Sequence, residues 1–159
     1  MQDVQPGLPL LVVLSGPSGV GKDAALAELK TLDRNWHFVV TATTRPPRSD
    51  ERDGVDYIFV TRSRFQEMVG EAELLEWAEV YGHLYGVPRA QVVEALAEGR
   101  DVIVKPDVQG AATIKRLAPQ AVFIFLTPPS LEELEPRLRQ RKTEGDVDLE
   151  LRLRTARAE

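Results

Sequence analysis

The 159-residue sequence predicts an α/β protein with a parallel β-sheet core flanked by helices. Three observations carry that expectation. Consecutive apolar residues of strand length, at 10–14 and 102–104, read as strands buried on both faces, as parallel strands are. Segments with helical spacing alternate with such runs, the order that builds a parallel sheet. The first run also leads directly into a glycine-rich turn, Gly16-Pro17-Ser18-Gly19-Val20-Gly21-Lys22-Asp23-Ala24, that opens a helix-like segment.

Taken in order, residues 10–14 form the first expected strand. Ala25, Leu26, Leu29 and Leu32 then recur at helical spacing, with Glu28 and Lys30 opposite. Residues 38–41 read as a second strand, running into Thr43-Thr44-Arg45-Pro46-Pro47-Arg48, where two prolines forbid helix. A polar, turn-rich stretch follows, then a short strand at 56–60. Ser63 is the expected cap of a brief helix carrying Phe65, Met68 and Val69 on one face. Residues 74–80 and 81–87 read as strands joined through Gly82, and Pro88 as the first residue of a helix that Gly99 stops. A strand at 101–104, a helix at 110–117 and a strand at 121–126 come next. Ser130-Leu131-Glu132-Glu133 is a capping box for a helix that aligns Leu131, Leu134 and Leu138. Pro136 is expected to kink it by removing a backbone donor. From Asp146 a second helix is expected, with Leu149, Leu153 and Ala156 on one face. The core is therefore assigned to 8–40 and 88–130. The irregular stretch at about 41–87 reads as a mixed α/β insertion over the carboxyl ends of the strands, where ligands bind in open α/β sheets.

Bulk properties narrow the function classes. A net charge of −5 argues against a general nucleic-acid binder. The absence of cysteine excludes disulfides and thiolate metal sites. His37 and His83 stand far apart and read as ordinary residues. No apolar stretch approaches the ~20 residues that span a bilayer. The start carries no basic region ahead of an apolar run, so a cytoplasmic protein is expected.

The glycine-rich turn carries the first chemistry. Its spacing, G-x-x-x-x-G-K after a strand and before a helix, is that of a phosphate-binding P-loop. Backbone N–H groups at the helix N-terminus and the Lys22 ammonium would cradle the phosphates of a nucleotide. The position after the lysine ordinarily bears a hydroxyl that ligates Mg2+; here it is Asp23.

Beyond that turn, the order and spacing of further blocks resemble the guanylate kinase family. These blocks are Thr43-Thr44-Arg45-Pro46-Pro47-Arg48, Gly54-Val55-Asp56-Tyr57-Ile58-Phe59, Leu75-Glu76-Trp77-Ala78, Tyr85-Gly86-Val87 and Asp107-Val108-Gln109-Gly110. The resemblance implies a P-loop kinase fold with a GMP-binding insertion and a helical lid at about 131–159. It implies phosphorylation of GMP to GDP by ATP with Mg2+. Gly16, Pro17, Ser18, Gly19, Val20, Gly21, Lys22, Asp23 and Ala24 would then bind ATP, with Lys22 at the β- and γ-phosphates. Arg45 and Arg48 would grip the GMP phosphate bidentately, with Tyr57 and Tyr85 adding hydroxyl hydrogen bonds. Glu76 would accept the two donors that distinguish guanine from adenine, helped by Thr41 and Asp107. Arg137, Arg141 and Arg152 would be lid arginines stabilising the transferring charge, with Arg137 and Arg141 on one helix face.

Four departures from the family pattern stand out. Asp23 replaces the hydroxyl, and Lys105 stands where an acidic residue is usual. Either Asp23 binds Mg2+ with Lys105 as charge balance, or the two form an ion pair in the metal's place. Val87 lacks a hydroxyl that some relatives turn towards GMP. The family also continues with a strand and helix that contribute to adenine binding, so an exposed sheet edge and lowered stability are expected here. Two other functions compete. A ribose-bisphosphate phosphokinase shares the Gly-Lys-Asp loop ending, and a non-catalytic guanylate-kinase-like module would bind phosphopeptides. The first is opposed by the blocks at 43–48 and 56–59, the second by Lys22 and the lid arginines. Oligomeric state leaves no trace in the sequence.

Overall fold

The computed structural model describes residues 7–140, 150, 151 and 153–155. In chain order the elements are β1 (Leu11–Ser15), α1 (Lys22–Thr31), β2 (Trp36–Phe38), β3 (Ala42–Thr43), β4 (Ile58–Phe59), α2 (Arg62–Gly70) and β5 (Leu74–Val80). They continue with β6 (His83–Pro88), α3 (Arg89–Ala97), β7 (Asp101–Val104), α4 (Val108–Leu117), β8 (Val122–Phe125) and α5 (Leu131–Gln140).

The first sheet is parallel, in the order β2-β7-β1-β8, with Val12 opposite both Ile103 and Val122. Its central strands are apolar on both faces because both are covered. Val13, Val102 and Val104 pack against Val92 and Ala95 of α3 and Ile114 of α4. Leu14 and Ile103 pack against Leu26 of α1 on the other side. All strand carboxyl ends of a parallel sheet point one way. Gly16 and Lys105, which follow β1 and β7, therefore emerge side by side. The edge strand β8 leaves Val122, Ile124 and Phe125 exposed.

Between the two halves of that sheet the chain builds a second one, ordered β4-β3-β6-β5. β3 runs parallel to β4 and antiparallel to β6, which is antiparallel to β5. Helix α2 seals its inner face through Phe65 and Met68, against Ala42, Leu74 and Leu84.

Several boundaries differ from the sequence expectation, each for a local reason. The apolar run at 38–41 does not make one strand. β2 ends at Phe38, and the peptide groups of Val40 are taken by the Gln91 side chain, which accepts from its N–H at 2.9 Å and donates to its carbonyl at 3.0 Å. That amide replaces a neighbouring strand and lets the chain cross to the second sheet. Thr61, not Ser63, caps α2; its hydroxyl accepts the Arg64 N–H at 3.1 Å. Pro88 closes β6 and is the N-cap of α3 rather than its first residue. Helix α4 starts two residues early because Asp107 caps it, accepting from Gly110 N at 2.9 Å and Gln109 N at 3.3 Å. Helix α5 runs through Pro136, and the Ser130 hydroxyl accepts the Glu133 N–H at 3.3 Å. The expected start at Asp146, with Leu149 and Ala156, lies outside the described residues; Leu153 packs on Leu134 and Leu138. No helix among the described residues is long and apolar enough to cross a membrane.

Candidate active site

The loop after β1 is shaped by its glycines. Gly19 has φ +81°, and a Cβ there would come within 2.7 Å of Leu138 Cδ2 on α5. The positive φ favours glycine, and any larger residue would also have to push aside the tip of the Leu138 side chain. The turn delivers α1 with Gly21 as N-cap, so the first N–H groups of α1 lack intrahelical partners and face the loop. The Lys22 ammonium folds over the loop, donating to the carbonyls of Gly16 and, at 3.1 Å, Pro17. It is thereby held against the start of the turn.

Facing the loop, the second sheet presents a cationic pair. Arg45 is 7% exposed, and Glu51 holds it as a fork: Nη1 donates to Oε2 at 3.0 Å and Nη2 to Oε1 at 2.7 Å. Nη1 also donates to the Pro46 carbonyl at 2.7 Å. Three of the five guanidinium N–H bonds are accounted for in this way. Glu51 further accepts the Arg48 N–H at 2.8 Å and lies 3.7 Å from its guanidinium. Burial pulls against the charge of Arg45, but the contacts with Glu51 and Tyr85 hold its pKa above the ordinary arginine value. Burial would likewise raise Glu51; the Arg45 bonds overcome it and lower it. The Arg45 guanidinium also lies over the Tyr57 and Phe59 rings, 5.4 and 5.8 Å from their centroids. Tyr57 in turn meets Tyr85 edge-on at 6.1 Å.

Deeper in the same cleft lies Glu76 of β5, 5% exposed. Its Oε2 and the Thr41 hydroxyl are buried without a hydrogen-bond partner. Burial, then the neighbouring charge of Asp107, pushes the Glu76 carboxyl up to about 8. Gly110, on the first turn of α4, makes room for it. A Cβ on Gly110 would strike Glu76 Oε2 and lie 2.8 Å from its Cδ and from Pro106 Cβ. We expect Gly110→Ala to displace the Glu76 carboxylate and weaken any ligand bound to it by about 1–3 kcal/mol, the cost of one mismatched buried polar group. A ligand affinity unchanged in Gly110→Ala would rule out that fit.

Lys22, Asp23, Arg45, Arg48, Tyr57 and Glu76 all line this one cleft. So do Gly16, Ser18, Gly19, Gly21, Thr41, Tyr85 and Asp107. Pro17, Val20 and Ala24 complete the loop but do not line it. The site thus sets a polyphosphate-type loop opposite an arginine pair, with a buried carboxyl and hydroxyl at its far end. A guanylate kinase family profile matches residues 9–159. The chain belongs to the guanylate kinase family.

Its relatives include a guanylate kinase of Carboxydothermus hydrogenoformans, 45% identical over 147 residues, covering 92% of this chain and 72% of that one. Another, from Bacillus cereus, is 48% identical over 151 residues, covering 94% and 74%. The crystal structure of guanylate kinase from Anaplasma phagocytophilum superposes with a TM-score of 0.72 at 34% identity, covering 94% of this chain and 69% of that one.

The structure adds two features of this guanylate kinase family member to what the sequence shows. Glu51, which orients both arginines, lies in an irregular loop and carries no spacing signal. The Asp23–Lys105 pair was one of two alternatives, and the contact exists: Lys105 Nζ donates to Asp23 Oδ1 at 2.6 Å and to the Tyr57 hydroxyl at 3.4 Å. Burial would lower the Lys105 pKa, but Tyr57 and Asp23 hold it above the ordinary lysine value.

A guanylate kinase needs a divalent metal. Among the described residues no group of three or more acidic, histidine or cysteine side chains gathers. Among the described residues that line the cleft, Asp23 offers a hard cation an exposed carboxylate beside the lysine of the loop. One carboxylate together with nucleotide phosphates is a sufficient donor set for Mg2+, so the residues fit. Asp107, by contrast, is engaged as the α4 cap. Arg137 reaches the loop from α5, with Nη1 3.4 Å from the Val20 carbonyl and Nη2 3.9 Å from Glu133. Arg141 and Arg152 lie outside the described residues.

Proposed function

We propose that this chain transfers the γ-phosphoryl group of ATP to GMP, giving ADP and GDP. One observation carries the choice of acceptor: a buried carboxyl and a buried hydroxyl without partners, in the same cleft as an arginine pair and a P-loop lysine. Guanine presents N1–H and an exocyclic amine side by side, and an ionised Glu76 accepts both. Adenine presents an acceptor at N1 and leaves the carboxylate unpaired, which is a strong basis for rejection.

Donor and acceptor phosphates repel, so most of the catalytic task is to fix them in line among cations. In this reading Lys22 and the α1 N-terminus hold the β- and γ-phosphates. Arg45 and Arg48, braced by Glu51, hold the GMP phosphate, with hydroxyl donors from Tyr57 and Tyr85. Asp23 would hold Mg2+, which when bound neutralises charge on the β- and γ-oxygens. Arg137 extends the lid element over the loop, and Arg141 and Arg152 enter the reading from sequence alone. Asp107 acts through the α4 cap and through its charge on Glu76. The substrates are small nucleotides in the cytoplasm, with no nucleic acid or membrane involved.

Release of ADP from ATP, followed in a coupled assay with Mg2+, tests this. GMP is expected to accelerate it by at least about a hundredfold over AMP, a ribose bisphosphate or no acceptor, as buried-carboxylate discrimination allows. Equal rates with all acceptors would remove the acceptor assignment.

A further inference from the structure

Lys105 stands where the two halves of the cleft meet. It follows β7, lies beside the first turn of α1 through Asp23, and touches the acceptor half through Tyr57. Its ammonium sits 2.6 Å from Asp23 Oδ1 and 3.4 Å from the Tyr57 hydroxyl, 4.5 Å from the centroid of the Tyr57 ring. The side chain is 15% exposed, while Asp23 is 60% exposed. The buried member of the pair is thus the cation, and the exposed member is a carboxylate adjacent to the lysine of a phosphate loop.

That placement has an electrostatic consequence. A carboxylate on the first turn of α1 opposes the entry of a polyphosphate, cancelling part of what Lys22 and the helix N-terminus offer. The Lys105 ammonium removes that opposition. A divalent ion would remove it as well, and both would address the same carboxylate. A lysine suits an exchangeable role, being a compact charge on a flexible stem. The Tyr57 ring and hydroxyl hold the ammonium from a second side.

Resting on the ATP-binding reading above, we propose that Lys105 is a resident counter-cation for Asp23. It keeps the nucleotide loop receptive to polyphosphate without a divalent ion, and yields the carboxylate when the ion arrives. Nucleotide affinity in this chain is then less dependent on metal than Asp23 by itself would make it.

The test is the affinity of the full chain for ATP, measured by calorimetry in Mg2+ and in EDTA, for the unsubstituted protein, Lys105→Met, Lys105→Arg and Asp23→Ser/Lys105→Met. In EDTA, Lys105→Met is expected to weaken ATP binding by at least about tenfold, against less than about threefold in Mg2+. The double variant is expected to return to within about threefold of the unsubstituted protein in EDTA, and Lys105→Arg to stay within that range. Equal losses in both buffers, including those from a damaged fold, would overturn the proposal. So would an unaltered affinity in EDTA, or a double variant no better than Lys105→Met. An unsubstituted chain that binds no ATP in either buffer would instead overturn the phosphotransfer reading.

Discussion

Glu76→Gln is expected to lower kcat/KM for GMP by about a hundredfold to a thousandfold, leaving activity with AMP almost unchanged. The amide keeps one acceptor but turns N–H donors towards the guanine donors, which removes one charge-assisted bond and opposes another. The same residue sets a pH dependence. The Glu76 carboxyl is pushed up to about 8 by burial and by Asp107, whereas GMP requires it ionised. Apparent GMP affinity is therefore expected to rise about eightfold between about pH 7 and 8.5. Binding at neutral pH is expected to release close to one proton, visible as a buffer-dependent calorimetric enthalpy. Glu76→Gln abolishes that release; a release that persists would place the titrating group elsewhere.

The stability effect of Glu76 has the opposite sense. The folded chain keeps the Glu76 proton, and the unfolded chain loses it, between the ordinary carboxylate value and about 8. Stability from this group is full at the acid end of that window and falls by about 1.4 kcal/mol per pH unit through it, levelling above. Glu76→Gln, which has no such proton to lose, is expected to gain on the unsubstituted protein in thermal melts as pH rises from about 5 to about 8.

Glu51→Ala is expected to cost about 3–5 kcal/mol of stability, because it leaves the guanidinium of Arg45 buried without its carboxylate. At about 2–4 °C per kcal/mol for a domain of this size, the melting temperature falls by roughly 10 °C. GMP KM is expected to rise in the same variant, since Arg45 and Arg48 lose their common brace. Glu51 carries a lowered pKa in the folded state, so its contribution is present above the ordinary carboxylate range and lost as pH falls through its folded-state value. The gap between variant and parent therefore narrows in acid. A melting temperature within a degree or so of the parent at neutral pH would mean that the fork is not holding the arginine.

These two glutamates show what the sequence carried and what it did not. The phosphate loop, β7 and the β5–β6 hairpin were legible because apolar runs and punctuating glycines are local signals. Glu76 was legible only through its place in a series of blocks, since a single glutamate in a strand usually faces water. Glu51 was not legible at all. Its partner lies six residues back across a proline-containing loop, and neither helical nor strand spacing joins them. The break between β2 and β3 was hidden for a similar reason, because the group that ends the strand, the Gln91 amide, is remote in sequence. Gly110 appeared within a motif, but its purpose, clearance for the Glu76 carboxylate, shows only in three dimensions. Asp23 and Lys105 were singled out as a paired departure, and the fold brings them into contact.

Phosphorus NMR of the chain with equimolar ATP, GMP and Mg2+ tests the phosphotransfer most directly. The expected spectrum shows the γ-phosphate resonance of ATP declining while the β-phosphate resonances of ADP and GDP grow in equal amounts. ADP accompanied by orthophosphate alone, or a spectrum that does not change, would contradict transfer to GMP.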